Sequence, residues 1–245
     1  MLSSSPVAIV TGASRGIGAA IARRLASDGF AVTVNYAAKA KAAEDVVSQI
    51  VSGGGKAVAI RADVSKPEEV AALFDETEAR LGKVTLLVNN AGIMNLAPIA
   101  EMDDASFDAM VAINLKGTFN TLREAARRLE KGAKVINTST SVTRLASPTY
   151  GAYAATKAAV EMLTVILAKE LRGRGITVNA VAPGPTATEL FLGGKSPELI
   201  QTIAKFSPLE RLGEPEDIAN VVSMLASSNG DWINGQTVFV NGGAA

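Results

Sequence analysis

The 245-residue chain contains no cysteine and no histidine. Without thiols there is no disulfide and no thiolate nucleophile. Without imidazole, most zinc sites and every triad that needs a His base are excluded, and no metal site is expected. Acid–base chemistry must then come from Asp, Glu, Lys, Tyr or Ser/Thr. An excess of one charge is also missing, since 24 basic residues balance 24 acidic ones. Neither a nucleic-acid partner nor an anionic membrane surface is expected. No apolar run reaches the ~18 residues of a membrane span, and Met1–Pro6 lacks the basic start and apolar core of a signal peptide. A soluble, cytoplasmic protein is expected. What is present is a 48% hydrophobic composition, enough for a sizeable core. No linker, repeat or low-complexity stretch divides it, so residues 1–245 read as one α/β domain.

The stretch Thr11-Gly12-Ala13-Ser14-Arg15-Gly16-Ile17-Gly18 organises the rest. The apolar run Val7–Val10 precedes it, and Ile17, Ile21 and Leu25 follow at helical spacing. Strand, glycine turn and helix in that order aim backbone N–H groups and a helix dipole at one spot, which suits a phosphate. Further strands are expected at 31–35, 57–60, 84–88, 134–137, 176–181 and 237–240. Helices are expected at about 39–52, from Ser65-Lys66-Pro67-Glu68 (capping-box spacing) to 81, and at 103–130, 152–172 and 214–227. The segment 187–212 reads as a mobile insertion. Strands alternate with helices, and several strands are continuous apolar runs. This is the pattern of a doubly wound, mostly parallel sheet of about seven strands with helices on both faces.

Ligands of such sheets sit at the carboxyl ends of the strands. Polar and glycine-rich residues cluster there, at 11–18, 35–37, 63, 89–92, 138–141 and 183–188. Tyr153 and Lys157 stand at i and i+4, on one face of a helix. A free phenol is a poor base at neutral pH, but a nearby cation favours phenolate. The hydroxyls of Thr138–Ser141 precede this pair by one loop and suit a carbonyl oxygen that Tyr153 protonates. A nucleotide site with a proton donor and no metal ligands points to hydride transfer.

Gly12-xxx-Gly16-Ile17-Gly18, Asn89-Asn90-Ala91-Gly92, Asn114, Tyr153-xxx-Lys157 and Pro183-Gly184 resemble, in order and spacing, the short-chain dehydrogenases/reductases. The resemblance covers essentially the whole chain and implies a single-domain Rossmann fold. It also implies roles. Tyr153 is the acid/base, and Lys157 lowers its pKa and holds the nicotinamide ribose. A hydroxyl positions the substrate carbonyl, and Asn114 supports a water-linked proton relay. Thirteen residues before Tyr153, the family's spacing, stands Thr140; a loop one residue shorter would give the role to Ser141. Both remain open here.

The resemblance places the cofactor along Gly12, Ser14, Arg15, Gly16, Ile17 and Gly18, and at the strand end Asn35-Tyr36-Ala37. An NAD site usually carries a carboxylate at that strand end, and none is present. Arg15 suits a 2′-phosphate, with help from Lys39, so NADPH/NADP+ is expected over NADH. Asp63 is expected on the adenine amino group with Val64 beside the ring, and Asn90, Ala91 and Gly92 near the ribose, with Asn89 tying strands. Pro183, Gly184, Thr186 and Thr188 are expected on the carboxamide and pyrophosphate. The overall pattern, including Asn241-Gly242-Gly243, is nearest to 3-oxoacyl-(acyl-carrier-protein) reductases. The resemblance implies a carbonyl substrate and, from the family, a homotetramer, and Leu190, Phe191, Leu192 and Phe206 of segment 187–212 could form an apolar lid. Arg127, Arg128 and Arg174 could meet an acidic carrier protein. A sugar or polyol dehydrogenase is the alternative, and a non-catalytic NADP-binding regulator is less favoured because Tyr153, Lys157 and Asn114 are all intact.

Overall fold

The computed structural model describes residues 5–245; of Met1–Pro6, residues 1–4 lie outside it. Seven strands form one fully parallel sheet. They are β1 (Val7–Val10), β2 (Ala31–Tyr36), β3 (Lys56–Arg61), β4 (Val84–Asn89), β5 (Lys134–Thr138), β6 (Thr177–Pro183) and β7 (Thr237–Val240). The spatial order is β3-β2-β1-β4-β5-β6-β7, so the winding reverses between β1 and β4. Loops leaving these two strands diverge, and a crevice opens there at their carboxyl ends.

The helices are α1 (Gly16–Ser27), α2 (Ala40–Ser52), α3 (Pro67–Leu81), α4 (Asp104–Met110), α5 (Thr118–Arg128), α6 (Val142–Leu145), α7 (Gly151–Glu170), α8 (Glu189–Leu192), α9 (Pro197–Ala204) and α10 (Pro215–Ala226). Successive strand residues point to opposite faces. Ala8, Val10, Leu86, Val88, Ile136 and Val181 pack with Ile21, Leu25, Val46, Ile218 and Leu225, under α1, α2 and α10. Ile9, Leu87, Val135 and Val178 pack with Leu73, Phe74, Leu122, Leu129 and Leu167, under α3, α5 and α7. Each fully buried Leu, Ile or Phe contributes about 1.5–3 kcal/mol. The two-layer core, rather than any single cap, therefore fixes where the strand ends fall.

Three expectations change. The stretch read as one helix over 103–130 is divided, because Val111–Gly117 between α4 and α5 is wound as a π-helix. Thr118 donates its hydroxyl back to the carbonyl of Asn114, in competition with the regular ladder. The capping box at Ser65 does not form. Ser65 instead donates its amide and hydroxyl to Asp63 Oδ1, and Glu69 reaches back to the Asp63 amide. A capping box does close the start of α10, between Glu214 and Asp217. Finally, α7 is long and apolar enough by length and composition to cross a membrane, contrary to the short-run reading. Its buried residues Val160, Thr164 and Leu167 lie against the sheet, as those of a core helix do.

Candidate active site

At the switch point the chain approaches itself closely. Gly12 and Gly16 have φ of +60° and +53°. A Cβ on Gly12 would stand 2.8 Å from Ala91 Cα, and one on Gly18 would stand 2.5 Å from Asn90 Nδ2 and from Gly12 O. Glycine is therefore required by backbone angle at positions 12 and 16 and by space at positions 12 and 18. Asn90 Nδ2 donates to the carbonyls of Thr11 and Gly12, and the Thr11 hydroxyl accepts from the amides of Asn90 and Ala91. These bonds stitch β1 to β4. The Asn90 side chain is thus part of the frame, and backbone at Ala91 and Gly92 lines the crevice. The first turn of α1 has no side-chain cap and no acidic residue. Its N–H groups and dipole are directed at the crevice, a ready seat for a pyrophosphate. Ser14 is half-buried in the same turn, and Ile17 packs onto the core behind it.

The buried chemistry lies on α7. The Tyr153 side chain faces the hydroxyl of Thr140, which pulls the phenol pKa down. Ser141, the other hydroxyl considered, is turned away. Its Oγ donates to Ala182 O at 3.2 Å and accepts from Asn241 Nδ2 at 3.1 Å. Neighbouring residues face opposite ways, and Thr140 is the one that meets the phenol. Burial pushes the Tyr153 phenol up to about 12, against the pull of the Thr140 hydroxyl. Burial also brings the Lys157 ammonium down to about 8. Lys157 Nζ donates to Thr138 O at 2.8 Å and stands 5.9 Å from the Tyr153 ring centre. The lowering of the phenol pKa expected from the i, i+4 pair is therefore absent in this arrangement, because desolvation dominates both groups.

Asn114 sits in the π-helical turn, fully buried. It accepts from the Ile93 amide at 2.8 Å and donates to Ile93 O at 2.9 Å and to Thr156 at 3.2 Å. A Cβ on Gly92 would come within 3.3 Å of Asn114 Oδ1 and 3.5 Å of Lys157 Nζ. Asn89 bonds Asn137, which bonds Thr164, while Thr121 donates to Asn89. This buried ladder ties α5, β4, β5 and α7 together directly beneath the site, and Asn89 does tie strands. Pro183 ends β6, and a Cβ on Gly184 would lie 2.7 Å from Asn241 Cβ.

At the other end of the crevice several residues serve the frame. Asn35 is buried. Its Oδ1 accepts from Gly12 N at 3.3 Å, and its Nδ2 donates to the carbonyls of Ile60 and Ala62. It holds the glycine turn, so its side chain is not available to a ribose. Tyr36 is half-buried at the end of β2, and Ala37 O accepts from Arg61. Asp63 Oδ1 is engaged by Ser65, leaving Oδ2 for a ligand. Val64 is buried against Gly117, and its carbonyl accepts from Asn120. Thr186 is buried and donates to Gly184 O, a turn contact in place of the pyrophosphate contact expected of it. Thr188 caps α8 and faces Gly16.

Arg15 and Lys39, the expected phosphate cations, both pair with Glu189. Glu189 carried no sequence signal. Neither did Glu161, which accepts from Ser139 at 2.5 Å and Thr143 at 2.9 Å and so pins the segment around Thr140 to the helix of Tyr153. Arg127 and Arg128 pair with Glu124, Arg128 also with Asp75, and Arg174 donates to the carbonyls of Ala126 and Leu129. These three arginines have internal partners and form no free basic patch for a carrier protein. Segment 187–212 folds as α8 and α9, with Leu190 and Phe206 exposed. A groove of about 880 Å³ beside Ala133, Ile176 and Trp232 opens at the amino ends of β5 and β6, away from Tyr153.

The residues fit a phosphorylated dinucleotide. An uncapped helix start faces two cations along one crevice. At its other end Lys157, with three protons to donate, has a single acceptor in Thr138 O. Among known proteins, residues 12–245 match a family model described as enoyl-(acyl carrier protein) reductase. The chain is 47% identical over 247 residues to a short-chain type dehydrogenase/reductase of Picea abies, covering 97% of this chain and 91% of that one. It is 47% identical over 251 residues to an NADPH-dependent aldehyde reductase-like chloroplastic protein of Arabidopsis thaliana, covering 97% and 93%. The crystal structure of the angucycline C-6 ketoreductase LanV with bound NADP superposes with a TM-score of 0.92 at 38% identity, covering 98% and 95%.

Proposed function

The chain belongs to the short-chain dehydrogenase/reductase family of oxidoreductases, and from that premise we propose that it is an NADPH-dependent reductase of ketones or aldehydes. The observation that carries this reading is the buried Tyr153 facing the Thr140 hydroxyl, with Lys157 anchored beside it on Thr138 O. Two hydroxyls, of Thr140 just beyond β5 and of Tyr153 on α7, face one another and can hold a single carbonyl oxygen between them. Arg15 and Lys39 supply the cations for a 2′-phosphate, and β2 ends without a carboxylate. The NADPH in the Arabidopsis relative's name and the NADP in the LanV structure support the same choice.

When bound, the nicotinamide supplies the hydride to the carbonyl carbon. Thr140 donates to the carbonyl oxygen and orients it. Tyr153 then gives its proton to that oxygen as the negative charge develops, leaving the phenolate. A phenol at about 12 holds its proton too tightly to serve efficiently near neutrality. Ribose hydroxyls beside Lys157 would engage its two remaining protons and keep the ammonium charged, and that charge lowers the phenol pKa. Asn114 fixes the π-turn next to Lys157 and supports a water-linked proton relay. Gly12, Gly16, Gly18, Ala91, Gly92, Pro183, Gly184 and Thr188 line the dinucleotide, with Asp63 Oδ2 and Val64 at the adenine.

Substrate classes follow from the apolar rim of Leu190, Phe191, Leu192 and Phe206: aldehydes, diketones and 3-oxoacyl esters. Exposed Phe119, Met162 and Ile166 on α5 and α7 support a homotetramer joined through these helices. A cytoplasmic location belongs to the same reading, set against the chloroplastic one in the Arabidopsis relative's name. The test is NADPH oxidation with a panel of those three carbonyl classes, followed by alcohol oxidation with sugars and polyols. Reduction of at least one carbonyl class is expected. Turnover of sugars alone would favour a polyol dehydrogenase. Tight NADPH binding without any turnover would favour a regulator.

A further inference from the structure

We propose that Glu189 is a specificity-determining residue of the cofactor site, whose carboxylate competes with the 2′-phosphate for Arg15 and Lys39 and so links cofactor identity to the position of the α8–α9 segment. This rests on the reading of Arg15 as the 2′-phosphate ligand. The two cations come from different elements, Arg15 from the glycine turn and Lys39 from the β2–α2 connection. They meet on one carboxylate that arrives from far along the chain. Arg15 Nη1 lies 2.5 Å from Glu189 Oε2, and Lys39 Nζ lies 3.5 Å from Glu189 Oε1. A carboxylate shared between a guanidinium and an ammonium reproduces the way a phosphate monoester is held. These two cations also hold the Glu189 carboxyl below the usual carboxylate range.

Towards its far end the segment is anchored by buried Ser207, which donates to Gly242 O at 2.9 Å. No residue of α8 or α9 is buried. Its neck is closed instead by Ala187 N to Gly213 O at 2.8 Å and Gly213 N to Pro185 O at 2.9 Å. The segment is thus a closed loop, anchored at Ser207, whose α8 end touches the cofactor crevice through Glu189, and through Thr188 over Gly16. All three ion-pair partners are well exposed, and exposed pairs are weak, so exchange costs little. A 2′-phosphate carries about −1.5 to −2 charges against −1 for the carboxylate, and prevails. A cofactor with a free 2′-hydroxyl brings no charge and leaves Glu189 in place. NADPH therefore releases the segment that rims the substrate, and NADH does not.

The experiment compares wild type, Glu189→Gln and Arg15→Ala. Calorimetry gives the Kd of NADP+, NAD+ and 2′,5′-ADP, and limited trypsin cleavage after Lys195 and Lys205 reports the segment. Glu189→Gln is expected to tighten NADP+ and 2′,5′-ADP by about 2- to 5-fold and leave NAD+ unchanged. In wild type, 2′,5′-ADP should speed cleavage and 5′-AMP should not, whereas Glu189→Gln should cleave quickly without nucleotide. Unchanged or weaker NADP+ binding in Glu189→Gln, or cleavage indifferent to 2′,5′-ADP, would overturn the exchange. Arg15→Ala separates the two ideas. If it leaves the NADP+/NAD+ ratio of Kd intact, the cofactor reading beneath the proposal fails as well.

Discussion

The two ends of the crevice are built on opposite principles. At the Tyr153 end the functional groups are buried and bonded to rigid partners. Lys157 is 4% exposed, and Asn114 is inaccessible. The Asn89–Asn137–Thr164 ladder fixes the helices beneath them. At the Arg15 end the charges are roughly half exposed and bonded to one another across the crevice. Proton transfer depends on placement within a fraction of an ångström and on low dielectric, which strengthens each interaction and shifts each pKa. Recognition of a phosphate that must arrive and leave needs charges that can change partner. One end is therefore costly to build and hard to perturb from outside, and the other is cheap and exchangeable.

The sharpest way to break this contrast is Tyr153→Phe. Only the phenolic oxygen is removed, so the fold and NADP+ binding should persist while kcat falls about 10²- to 10⁴-fold. A variant retaining more than a tenth of wild-type kcat would remove Tyr153 from the reaction. Next is Lys157→Met, read as stability against pH without nucleotide. The folded pKa of Lys157 lies near 8, below the unfolded value of 10.5. Between these values the unfolded chain binds the proton and the folded chain does not, so stability rises with pH across that window. The shift amounts to roughly 3 kcal/mol. Denaturant unfolding at pH 7 and pH 10 should show wild type gaining that much relative to Lys157→Met. Parallel profiles would mean that the ammonium is not desolvated. Above pH 10 both proteins should weaken together, because Tyr153 keeps its proton up to about 12 when folded.

How legible each end was in the sequence follows the same division. The glycine turn, the seven strands and the Tyr153/Lys157 pair could be read because local spacing fixes them: a strand period, a helical period, an i, i+4 face. The π-helical turn could not, since it arises when Asn114 bonds the Ile93 backbone and when Thr118 donates to a helix carbonyl. Periodicity over 103–130 carries no trace of those bonds. Asn35 and Thr186 looked like ligand contacts because they stand at strand ends. Yet the unpaired backbone groups of that same frame claim their side chains. Glu189 was invisible, because residues 15, 39 and 189 come together only through the sheet topology.

Within the rigid end, the neighbours Thr140 and Ser141 provide a finer comparison. Thr140→Val keeps shape and loses the hydroxyl, so kcat should fall about 100-fold, the cost of one donor to a developing oxyanion. KM for NADPH should be unchanged. Thr140→Ser should restore most of the rate, since it returns the oxygen and drops only a methyl. Ser141→Ala removes a hydroxyl that donates to Ala182 O and accepts from Asn241, at the junction of β6 with the strand after α10. Its cost falls on stability, about 1 kcal/mol for a buried hydrogen bond, with kcat within about threefold of wild type. If kcat instead followed Ser141, with Thr140→Val near wild type, the active hydroxyl would lie on the opposite face of this segment. The approach of Tyr153 to Thr140 would then be a packing contact, and the substrate oxygen would have to approach from the side now closed by Asn241.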